Sequence, residues 1–169
     1  MKYFLSLFLV LSCFVMSSCT TERQSSSTEK FRGMWRLDKF ETLDSLTRNW
    51  NIDSTRMGYT GYILYDGLGH MSVQQNPPGY SSFNINKSID SLDKEDLKKV
   101  GKLYRSNYTY TGNYTIEGTT ITHKRLSATS PKDWNTVLKR DFEFRGDTLI
   151  LTTQEKLNGR ILRIRWIKV

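Results

Sequence analysis

Two short β-prone runs, Tyr62 to Tyr65 and His70 to Gln75, flank Asp66-Gly-Leu-Gly69 near the middle of the chain. Asp starts turns and Gly accepts positive φ, so this stretch predicts a β-hairpin with a four-residue loop. The first arm is apolar on both faces. The second alternates His70, Ser72 and Gln74 against Met71, Val73 and Gln75, which sets one face on a core and leaves the other polar.

The same grammar returns downstream. Tyr108, Tyr110, Gly112, Tyr114 and Ile116 share one face of a strand; Glu117-Gly118 turns into a second, where Ile121, His123 and Arg125 share parity. Thr136 to Arg145 puts Leu138, Arg140, Phe142 and Phe144 on one face. Gly146-Asp147 leads into Thr148 to Thr153, and Arg160 to Lys168 sets Leu162, Ile164 and Trp166 against Arg163 and Arg165. Upstream, Trp35 and Leu37 alternate with Arg36 and Asp38 after Gly33, giving a first strand. Residues 43–57 are polar and irregular and read as a loop or lid.

One segment follows a different period. Ile89, Leu92, Leu97, Val100 and Leu103 recur at near-helical spacing, so a helix is expected near 89–105, capped by Ser88 or Asp90. About eight strands in hairpin order with one inserted helix predict an all-β, antiparallel up-and-down barrel, since closure removes exposed edges. A two-sheet sandwich is the alternative.

The N-terminus adds an address. Lys2 and the apolar run Tyr3 to Met16, too short for a permanent membrane span, read as an export leader. Its end, Val15-Met-Ser-Ser-Cys19, resembles a bacterial lipobox. This implies a signal peptide over 1–18, acylation of Cys19 and attachment to a membrane of the bacterial envelope, the outer one favoured. Residues 19–30 are polar and read as a flexible tether, with the barrel domain over 31–169. Cys13 leaves with the leader, so an acylated Cys19 leaves no free thiol and no disulfide, and a core must supply stability. The net charge of +8 is scattered among acids, which argues against nucleic acid as a partner.

Taken together, these residues resemble the calycin group, and within it the bacterial lipocalin-like domain family. Gly33-Met-Trp35 matches the Gly-x-Trp signature, and Gly61 to Gln74 looks like the family's hairpin. Tyr110-Thr-Gly-Asn-Tyr114, His123, Arg140 and Gly146-Asp147 with Leu149 and Leu151 follow in order. The resemblance covers Phe31 to about Lys168, and implies an eight-stranded barrel with a lumen for small apolar molecules.

Parity then nominates residues. Arg140 and His123 share the inward face with Phe142 and Ile121, where a charge is costly unless paired or hydrated. They are candidates to receive the carboxylate or phosphate of an amphipathic ligand, or else members of a polar network that fixes the fold. Tyr62, Tyr108, Tyr110 and Tyr114 are candidates for an aromatic lumen. Trp35 is expected to plug the closed end, stacked on Arg163 or Arg165. No nucleophile elbow, catalytic cysteine or His-Glu-x-x-His occurs, and two histidines without an acidic cluster give no metal site. The expectation is a monomeric, membrane-anchored binding protein without catalytic residues or cofactor, taking a small hydrophobic or amphipathic ligand. A filled barrel acting as a structural or protein-interaction module is the alternative, and acid–base chemistry at His123 a third reading.

Overall fold

The computed structural model describes residues 27–84, 87–157 and 159–169; the leader and Cys19 lie outside the described residues. Nine antiparallel strands form one sheet: β1 (Gly33–Leu43), β2 (Trp50–Ile52), β3 (Thr60–Tyr65), β4 (His70–Asn76), β5 (Tyr108–Glu117), β6 (Thr120–Ala128), β7 (Val137–Arg145), β8 (Thr148–Thr153) and β9 (Leu162–Lys168). Each strand from β3 onward pairs with the next, and β9 returns to β1 with Leu37 opposite Trp166 and Glu41 opposite Arg163. Setting β2 aside, the meander is a closed eight-stranded barrel.

The sheet closes because its strands bend. Register slips between Leu37 and Lys39 in β1 and between Thr111 and Gly112 in β5, and such bulges increase local coiling. At Gly112 the strands come so near that an added Cβ would lie 2.0 Å from the Lys124 carbonyl oxygen, so only glycine fits.

Alternation decides the rest. In β3, Gly61, Ile63 and Tyr65 are buried while Thr60, Tyr62 and Leu64 face out; in β5 the buried set is Tyr110, Gly112, Tyr114 and Ile116. One apolar cluster runs through the barrel from Trp35 and Phe31 to Leu162 and Tyr110.

Three elements depart from the pattern-based expectation. The polar stretch 43–57 contains β2, whose Trp50 sits opposite Leu43 and extends β1 into a hairpin beyond the barrel. The helix spans Lys94–Ser106, later than expected, because Asp93 rather than Ser88 or Asp90 accepts from the backbone N–H of Asp96 and caps it. Ile89–Ser91 is instead a separate 3-10 turn. Residues 27–31, the last part of the stretch expected to be a tether together with Phe31, form a helical turn. This turn drives Phe31 into the barrel end, where the residue is fully buried, while Trp35 Nε1 donates to its carbonyl at 2.8 Å.

Candidate functional site

The barrel has two unlike ends. One holds Phe31, the Asp66–Gly69 turn and the start of β1. There Phe31 meets Tyr65, Phe142 and Phe144 with ring centroids 4.8 to 5.0 Å apart, and Tyr65 meets Tyr114 at 5.0 Å. Edge-to-face packing of this kind fills the interior with rings. Tyr114, nominated as a lumen residue, therefore belongs to the plug. Its hydroxyl is buried without a hydrogen-bond partner.

Trp35 closes the same end, as expected, but the cation over its ring is Lys168, 4.4 Å from the centroid, and neither Arg163 nor Arg165. Parity explains the correction: Lys168 shares the inward face of β9 with Ile164 and Trp166, whereas Arg163 and Arg165 point out. Arg163 ion-pairs with Glu41 at 2.5 Å and lies 4.2 Å over Trp50, and Arg165 faces Asp38. Lys168 also donates to the Arg32 carbonyl. Tyr62 is corrected too; it is half-exposed on the outer wall, because the Ile63 and Tyr65 parity takes the interior.

Halfway up the barrel the interior turns polar. His123, 1% exposed, lies between two phenols: Tyr65 Oη is 3.0 Å from Nε2 and Tyr110 Oη is 2.8 Å from Nδ1. Burial, followed by the positive charges of Arg140 and Arg125, pulls its pKa down to about 3. A neutral imidazole donates from one nitrogen and accepts at the other, so one tyrosine gives its proton to His123 while the other receives one. The receiving tyrosine keeps its own O–H to donate elsewhere. Burial also holds both phenols in their protonated form by raising the pKa of Tyr65 and Tyr110.

Two guanidinium groups stand beside this relay. Arg125, inward on β6, donates from Nη1 to Tyr108 Oη at 2.8 Å, pairs with Asp133 at 3.1 Å and lies 5.9 Å over the Tyr110 ring. Its Nε is buried and unpartnered. Arg140, inward on β7 opposite Ile121 and Thr153, has no Asp or Glu carboxylate within 4 Å among the described residues, and its Nη1 is buried without a partner. Burial works against its charge, while Tyr110, Tyr108 and Tyr65 favour it. Arginine nevertheless stays protonated in proteins.

The buried acids lie elsewhere. Glu41 is taken by Arg163, and Asp53 accepts from the Thr55 backbone N–H and hydroxyl. The interior thus offers donors: Arg140 Nη1, Arg125 Nε, Trp166 Nε1 and the spare phenol proton.

Above this layer is the mouth, framed by β2, the helix and the loop carrying the 3-10 turn Pro131–Asp133. A hollow of about 300 Å³ opens there between Thr42, Asp53, Arg56, Arg160 and Leu162. A second, of about 410 Å³, lies at the opposite end outside Trp35 and Lys168. Neither is lined by His123 or Arg140, which sit deeper than the mouth. Among the described residues no group of His, Cys, Asp and Glu is placed to hold a metal ion.

His123, Arg140, Tyr108 and Tyr110 are thus brought together as parity suggested. Tyr65 and Arg125 were missed, although Ile63 and His123 on the same faces pointed to them. Phe31 and Asp133 carried no periodic signal.

The fold is thus a small antiparallel barrel closed at one end, with a polar layer below its mouth. The lipocalin-like domain family model matches residues 32–164, and the chain belongs to that family. Among solved structures it is similar to fatty-acid-binding protein 1 of Echinococcus granulosus, at 15% identity and a TM-score of 0.40, covering 83% of this chain and 98% of that one. It is also similar to a mutant of the fluorescent protein UnaG, at 11% identity and a TM-score of 0.39, covering 83% and 97%. No curated protein matches the chain.

Proposed function

We propose that the barrel binds a small amphipathic molecule whose polar head is an anion seated at Arg140. The observation that carries this reading is the buried, unpartnered Arg140 Nη1, with no carboxylate within 4 Å of the guanidinium among the described residues. An uncompensated interior cation is costly, and an incoming carboxylate would offset that cost through charge-assisted hydrogen bonds. Tyr108, Tyr110 and the spare phenol of the relay would flank the head, and the apolar part would extend past Leu138 and Leu162 toward the mouth. His123 positions rather than catalyses: both ring nitrogens are occupied, and it is neutral at any ordinary pH. The protein acts as a monomeric binding or carrier protein without enzymatic activity.

Titration of the purified chain with octanoate tests this directly. Binding that is lost in Arg140→Met supports the reading; unchanged affinity in that variant overturns the head-group role. A filled barrel serving as an envelope interaction module is the second reading, favoured by the ring-packed closed end. Native mass spectrometry of protein from its own host separates the two, because a filled barrel would carry no co-purified small molecule.

The proposed setting is a membrane of the bacterial envelope, the outer membrane first, reached through acylation of Cys19. Membrane attachment that persists in Cys19→Ala would overturn it.

A further inference from the structure

Among the described residues, the polar layer around His123 carries two arginines, Arg125 and Arg140, and one carboxylate paired with either of them, that of Asp133, which comes from the mouth. Asp133 closes the 3-10 turn Pro131–Asp133; its backbone N–H donates to the Ser130 carbonyl, and its own carbonyl accepts from the Thr136 hydroxyl at 2.6 Å. Trp134 Nε1 donates to the Ala128 carbonyl at 2.6 Å, fixing the same loop to the end of β6. The carboxylate is thereby held against Arg125 at 3.1 Å, with both side chains largely buried. Arg125 lies over the Tyr110 ring, and the charges of both Arg125 and Arg140 act on Tyr110 and His123. The site therefore holds two positive charges and one negative charge, with His123 contributing none.

We infer that the site selects a monoanion, and that Asp133 is the residue that sets this charge. The inference rests on the reading that the barrel interior binds a ligand at all. A carboxylate at Arg140 brings the buried charge to zero. A dianion such as a phosphate monoester would leave one negative charge in excess, beside Asp133, and would compete with Asp133 for Arg125. A neutral alcohol would leave Arg140 uncompensated. Arg125 Nε, buried and unpartnered, is a donor that a head group reaching between the two arginines could also use.

The experiment is calorimetric titration of the chain, wild type and Asp133→Asn, with octanoate, 1-octanol and octyl phosphate at pH 8, where the phosphate is dianionic. In the wild type, octanoate is expected to bind at least about tenfold more tightly than either alternative, the size of effect that one charge-assisted contact in a buried site gives. In Asp133→Asn the octanoate-to-octyl-phosphate ratio should fall by about tenfold or invert, and Asp133→Glu should restore it. Circular dichroism melts establish that each variant is folded. If octanol matches octanoate, or if Asp133→Asn leaves the ratio unchanged, the charge rule is overturned while binding itself stands. If none of the three probes binds the wild type, the ligand-binding reading falls, and the inference with it.

Discussion

At the closed end of the barrel, Phe31, Tyr65, Tyr114, Phe142 and Phe144 meet ring to ring, while toward the open end Tyr108 and Tyr110 meet guanidinium groups and an imidazole. Both regions are buried and both are rich in aromatic residues, yet they solve different problems. Rings packed against rings favour the folded state, and the polar atom left over there is the Tyr114 hydroxyl. The polar layer leaves more, since Arg140 Nη1, Arg125 Nε and Trp166 Nε1 have no acceptor among the described residues. Such groups oppose folding, and it is to this half that the proposed function assigns binding.

The contrast can be broken most forcefully at Phe31. Phe31→Ala removes a fully buried ring and should destabilise the protein by about 3–5 kcal/mol, measured as a fall in the urea midpoint. Arg140→Met should act in the opposite direction. Replacing an uncompensated interior cation with an apolar side chain of similar length is expected to stabilise by about 1–4 kcal/mol while abolishing octanoate binding. A loss of stability in this variant would mean that Arg140 has an internal partner and that the two halves are alike.

Acid provides a third test. The pKa of His123 is about 3 in the folded barrel, against roughly 6.5 in the unfolded chain, so the unfolded state binds the extra proton first. Its contribution is fully present above pH 6.5 and declines as pH falls toward 3, by about 1.4 kcal/mol per pH unit where the slope is steepest. Denaturation between pH 6.5 and 4.5 should show this slope in the wild type and a flatter one in His123→Gln. The smallest effect belongs to Lys168→Met, which removes a cation–π contact from Trp35 and a hydrogen bond to Arg32. It should cost about 1 kcal/mol or less and leave octanoate affinity untouched.

The sequence made the barrel legible through alternation, and the polar layer through parity. His123 and Arg140 fall inward because Ile121 and Phe142 do, and the same count places Arg125 and Tyr65 beside them. Parity says nothing, however, about partners across the barrel, so the two phenols on His123 and the lack of a carboxylate at Arg140 emerged only in three dimensions. Tyr62 was misplaced because its arm is apolar on both faces, and only pairing with β4 decides which face is in. Phe31 precedes the first strand and has no periodic neighbours to reveal it. β2 is three residues long, too short for any period to register. The cation on Trp35 is a different case, since the outward parity of Arg163 and Arg165 was already readable.

The seam between β1 and β9 has a kinetic consequence. It joins Trp35 to Lys168 and Thr42 to Leu162, so the barrel shuts only when nearly the whole domain has been gathered. Such long-range pairing carries a large loop-closure entropy and belongs to the slow, millisecond-to-second class of folding. Until β9 docks, β1 keeps an unpaired edge on that side, with Phe40 and Trp35 along it. The seam is therefore where an incompletely folded chain would be most prone to pair with another copy, and folding of this domain is timed by its last strand.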